Sequence, residues 1–120
     1  MSRLARGTET RLRFLMTLNG GGPAADDQLY ADMGRFVEEP TRAGVLLATG
    51  SLDPVGTHIT SSQGKTVLLD GPYAEAKETI VSFALIDVRS KEEALEMVRR
   101  FFALVKEGEG NIRQVYGSEG

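Results

Sequence analysis

Five reactive side chains fall within nine positions of this 120-residue chain: Asp70, Tyr73, Glu75, Lys77 and Glu78, in the run Asp70-Gly71-Pro72-Tyr73-Ala74-Glu75-Ala76-Lys77-Glu78. Carboxylates beside a lysine and a phenol are groups that general acid–base chemistry uses. They stand where an apolar run, Val67 to Leu69, gives way to another beginning at Ile80, and strand ends are common places for sites. Each residue also has a simpler reading. An Asp before Gly-Pro is an ordinary turn former. Tyr73 can be a packing aromatic. Glu75, Lys77 and Glu78 can be solvated surface charge. His58 is the chain's one histidine and there is no cysteine. Thiolate nucleophiles, disulfide scaffolds, zinc fingers, iron–sulfur clusters and any site needing two histidines of one chain are thereby excluded. His58, between Thr57 and Ile59, is most simply an exposed strand residue, and it enters a site only if its strand delivers it beside Asp70. No metal or cofactor is expected. Asp26, Asp27 and Asp32 read as helix capping and a solvated helix face. Asn19-Gly20-Gly21-Gly22 lacks the order of a phosphate-binding loop.

The elements that must position these residues follow from periodicity. Arg13 to Leu18 reads as a strand, stopped by Asn19-Gly20-Gly21-Gly22-Pro23. Leu29, Met33, Phe36 and Val37 lie on one face at helical spacing, with Asp26 or Asp27 as cap. Pro40 is expected to end or kink that helix. Val45 to Ala48 is a short strand, and Gly50 to Gly56 a bend. Thr57 to Ser61 and Lys65 to Leu69 flank Ser62-Gln63-Gly64 as a hairpin. Ile80 to Val88 is a long strand. Ser90-Lys91-Glu92-Glu93 is a capping box, opening a helix with Ala94, Leu95, Val98, Phe101, Phe102 and Val105 on one face. Gly108 and Gly110 are expected to end it, before a last strand from Asn111 to Tyr116.

This order is an α+β arrangement, a ferredoxin-like β-α-β-β-α-β with an inserted β-hairpin. Its middle strands would be Arg13–Leu18 and Ile80–Val88. Ile80, Ala84 and Ile86 point one way, and Val81, Phe83 and Leu85 the other. A strand apolar on both faces needs cover on both. Two helices cover one face only, so the pattern predicts a homodimer whose sheets pack face to face as a dimeric α+β barrel. The expected organisation is a flexible N-terminal arm (1–11), one domain (12–117) and a short tail (118–120). The formal net charge of −3 offers no basic field for nucleic acid. Membrane spans are not expected, because no apolar run approaches the ~20 residues required; a leader peptide is not expected, because Met1 to Thr10 has no apolar core; and the expected location is cytoplasmic.

At Asp70, Gly71, Pro72, Tyr73, Glu75, Lys77 and Glu78 the sequence resembles the YCII-related family, in its DGPF-domain branch. Tyr73 stands where that branch usually has Phe. The resemblance runs from Phe14 to Val115 and includes Phe36-Val37-Glu38-Glu39 followed by Ala43-Gly44-Val45-Leu46. It implies a ferredoxin-like dimer forming an α+β barrel. It also implies a cleft in which a histidine of the first helix approaches the Asp of the motif, a pairing suited to acid–base work. Some relatives act in dehydrohalogenation or ring opening of aromatic catabolites. Others occur with extracytoplasmic-function sigma factors, so a sigma-factor partner follows from the resemblance alone. This chain departs from the pattern: Met33-Gly34-Arg35-Phe36 carries no imidazole. The expectation is therefore a small-molecule ligand held in a cleft bordered by Asp70 to Glu78. Asp70 and His58 are the catalytic candidates, and Tyr73, Glu75, Lys77, Glu78 and Met33 the substrate-binding ones. A cofactor-independent lyase or hydrolase is one reading, and a non-catalytic binding or interaction module is the other.

Overall fold

The structure, a computed structural model, describes residues 11–20, 26–53, 55–71 and 79–117. Strand β1 (Leu12–Asn19) is followed by helix α1 (Asp27–Arg42), strand β2 (Leu46–Ser51), the strands β3 (Thr57–Ser62) and β4 (Lys65–Asp70), the long strand β5 (Ile80–Val88), helix α2 (Lys91–Val105) and strand β6 (Gly110–Val115). The main sheet is four-stranded in the order β2-β5-β1-β6, and every pairing is antiparallel. This is the ferredoxin-like α+β order, with β1 and β5 in the middle as their two apolar faces require. Strands β3 and β4 form a separate two-stranded sheet, the inserted hairpin. Both of its turn residues, Gln63 (φ 51°) and Gly64 (φ 80°), are left-handed. That backbone matches the twist of a two-residue hairpin.

Register assigns the sheet's two faces. Phe14 pairs with Ile86 on β5, and Leu46 pairs with the same Ile86 from the other side. These residues, with Val88 and Ala94, make the buried core, and Val37 and Met97 of the two helices pack against it. Both helices therefore lie on the Phe14 side. The opposite face carries Arg13, Leu15 and Thr17 of β1 against Asp87, Leu85 and Phe83 of β5. Among the described residues no helix covers it.

Local chemistry sets the boundaries. The Asp26 carboxylate accepts from the Leu29 amide at 2.8 Å and caps α1. The Ser90 hydroxyl accepts from the Glu93 amide at 3.1 Å, and the Glu93 carboxylate accepts from the Arg89 amide at 2.8 Å, fixing the start of α2.

Three expected boundaries are corrected. Pro40 lies inside α1, which continues to Arg42. A proline this close to the helix end removes one amide donor only. The Ala43 amide still reaches the Glu39 carbonyl at 2.9 Å, and the Pro40 carbonyl accepts from Val45 at 2.9 Å. The stop is made by Gly44 at φ 77°. Likewise α2 ends at Val105, with Lys106 at φ 74°, before either glycine is reached. Finally, β2 runs on through Gly50 and Ser51, which read as a bend in sequence. The length of β5 supplies partners for both, Gly50 opposite Phe83 and Ser51 opposite Ser82. A Cβ at position 50 would sit 3.1 Å from the Phe83 ring, so the glycine is a packing choice within a strand.

Candidate functional site

Helix α1 is strongly amphipathic, yet none of its residues is buried. Leu29, Met33, Phe36 and Val37 are half-buried. The reason is a cavity of about 340 Å³ between the two helices and the helix-covered face of the sheet. Met33, Phe36, Val37 and Pro40 line it from α1 and Met97, Val98 and Phe101 from α2, with Met16, Leu46, Ala84 and Ile86 as its floor. The rings of Phe36 and Phe101 meet across it with centroids 6.2 Å apart, and Phe102 stacks edge-on against Phe101. Gly34 also lines the cavity, and a Cβ there would meet nothing within 4 Å.

The wall changes character along the sheet. Following the β2–β5 pairing, Leu46 opposite Ile86 gives way to Thr49 opposite Ala84 and then to Ser51 opposite Ser82. Leu46 and Ile86 are buried, whereas Thr49 and Ser51 are exposed. The apolar end is therefore closed and the hydroxyl end is the mouth. Tyr30, 64% exposed on the first turns of α1, adds its phenol to the lining. The Thr49 hydroxyl donates to the Phe83 carbonyl at 2.8 Å. Among the described residues that line the cavity, none carries a charge.

Of the residues singled out by sequence, Met33 is in this wall. Asp70 and His58 are on the hairpin and do not line the cavity. Asp70 accepts from the Thr57 hydroxyl at 2.7 Å, a bond that closes the base of the hairpin. The hairpin register sets Thr57 opposite Asp70 and His58 opposite Leu69. Neighbours in a strand point to opposite faces, so the Asp70 and His58 side chains leave opposite sides of the ribbon. Tyr73, Glu75, Lys77 and Glu78 lie outside the described residues.

The chain matches the YCII-related domain over residues 6–117. It belongs to the YCII-related family. An uncharacterized protein of Rhizobium meliloti is 36% identical over 76 residues, covering 62% of this chain and 61% of that relative. The chain thus spans about three-fifths of the relative it matches. Within this YCII-related chain, sequence reasoning missed the hydroxyl mouth. The usable signals were Ser82, a polar residue interrupting the apolar run of β5, and Gly34, a side-chain gap on the apolar face of the first helix. No group of three or more His, Asp or Glu among the described residues could hold a metal. Among the described residues no helix is long and apolar enough to cross a membrane.

Proposed function

We propose that this YCII-related protein binds a small molecule in the cavity beneath α1, as a binding module whose described wall contributes no carboxylate, imidazole or amine. The observation that carries the reading is the placement of α1: Val37 packs on the buried core, while Met33, Phe36 and Pro40 beside it line the open cavity. The apolar wall of this open cleft faces water, and a ligand with an apolar body gains free energy by covering it. The volume lies within the range of small-molecule sites. Glu75, Lys77, Glu78 and Tyr73 stay in this proposal as ligand-binding candidates on the strength of the sequence motif alone. In this reading Asp70 shapes the hairpin base.

The test uses N-phenyl-1-naphthylamine, a neutral probe that fluoresces in apolar surroundings. The intact chain is expected to bind it saturably. Gly34→Leu, which fills the space above residue 34, is expected to lose that binding while keeping its circular dichroism spectrum and a cooperative thermal transition no lower than that of the unaltered chain. Unchanged, saturable binding by a folded Gly34→Leu variant, or no saturable binding by the intact chain, would overturn the assignment of the site.

A further inference from the structure

We infer that the cavity selects a neutral alcohol or phenol with an apolar body, seated body-first with its hydroxyl at the mouth. The inference rests on the cavity being the binding site and names the class of its ligand. Three features of the wall carry it.

The first is charge. The described lining has none, so a charged head held there would exchange hydration for neutral hydroxyls with no counter-charge to offset the loss. The second is the gradient along β2 and β5. From Ile86 to Ser82 the wall passes from buried and apolar to hydroxyl-bearing. That is four residues of strand, about 13 Å. A molecule with one polar end and one apolar end satisfies both ends of such a wall in one orientation only.

The third feature is the polarity of the hydrogen bond on offer. A threonine hydroxyl has one hydrogen and two lone pairs. Thr49 commits its hydrogen to the Phe83 carbonyl at 2.8 Å. What remains is an acceptor, which pairs with a ligand that donates. An alcohol or phenol donates, whereas an ether of the same shape does not. Ser51, Ser82 and Tyr30 can donate or accept, and so complete the second half of the ligand hydroxyl's bonding.

The body of the ligand is less narrowly specified. Apart from Met1, every methionine of the chain lines the cavity: Met16, Met33 and Met97. Methionine is flexible and polarizable, and it adapts to rings and chains of several shapes. The wall therefore discriminates at the head and tolerates variation in the body.

The experiment compares three probes on the full chain at pH 7 by calorimetric titration. They are 2-naphthol, 2-methoxynaphthalene and 2-naphthoate, which share one ring body and differ in the head. The naphthol is expected to bind at least tenfold more tightly than the naphthoate and about fivefold more tightly than the methyl ether. Thr49→Val is expected to bring naphthol affinity down to that of the ether. The comparison of heads on the unaltered chain stands even if Thr49→Val does not fold. Should the naphthoate or the ether bind as well as the naphthol, while Gly34→Leu still blocks all three, the ligand class is overturned and the cavity keeps its role. Unchanged naphthol affinity in a folded Thr49→Val variant overturns the class in the same way. If no probe binds the intact chain, or Gly34→Leu has no effect on their binding, the cavity assignment itself fails.

Discussion

Single residues divide between those that keep space open and those that close it. Gly34 keeps it open: on the apolar face of α1, in a helix interior, it gives up about 1 kcal/mol of helix stability relative to alanine. Nothing lies within 4 Å of where its Cβ would stand. Gly34→Ala is therefore expected to stabilise the protein by about 1 kcal/mol, read as a rise of a few degrees in the thermal midpoint. A fall in the midpoint would show that α1 lies closer to its neighbours than the structure has it. Gly110 is the opposite case. A Cβ there would sit 2.0 Å from the Thr17 carbonyl oxygen, so Gly110→Ala forces β6 away from β1. We expect a loss of about 1–3 kcal/mol, measured by urea unfolding. Asp70 closes the hairpin base through Thr57. Asp70→Asn keeps an acceptor for that hydroxyl and should leave probe binding and the melting transition unchanged. A loss of cavity binding in Asp70→Asn would bring the carboxylate back as a ligand-contacting group.

At the scale of elements, the sequence was most legible where one physical cause dominates. Helix α2 was readable from the Ser90–Glu93 cap and its single apolar face, and β5 from nine residues with scarcely a polar interruption. These fixed the ferredoxin-like order. The boundaries that moved are those where tertiary pairing overrides local preference. Gly50 and Ser51 carry weak strand propensity, yet they pair because β5 extends past Leu46's partner. Pro40 breaks helices in general, but near the end of α1 it removes too little to stop the helix. The candidate site was half legible for a related reason. Met33 was found because it stands at the helix position where the family resemblance places a histidine. The hydroxyl mouth was not, because Tyr30, Thr49, Ser51 and Ser82 come from three elements and converge only through register. Asp70, from its motif, and His58, as the one histidine, attracted attention although strand alternation sends their side chains apart.

For the whole molecule, the open question posed by the fold is what lies on the sheet face opposite the helices. Leu15 and Leu85 are Cα partners there, with Phe83 beside them on β5, and all three are only half-buried. The hairpin poses the same question in sharper form. Ile59 and Leu68 pair on one of its faces, and Val67 and Leu69 lie on the other. All four are more than half exposed, from 56% to 64%. An isolated two-stranded ribbon is marginal in water, and apolar side chains on both its faces gain free energy only by being covered. We propose that a second copy covers the bare sheet face, because an isologous contact lets Leu15 and Leu85 of each chain meet their counterparts and closes the assembly at two. Sedimentation velocity at micromolar concentration is expected to show a dimer. Leu85→Lys puts a charge in the middle of that contact while leaving the core around Phe14 and Ile86 on the other side of the sheet. Its expected result is a folded monomer, because burying an unpaired ammonium costs far more than one leucine contributes. A wild-type chain that sediments as a monomer would refute the two-sheet arrangement. A Leu85→Lys variant that stays dimeric would move the contact elsewhere, and the exposed Ile59–Leu68 face of the hairpin would then be the surface to substitute next.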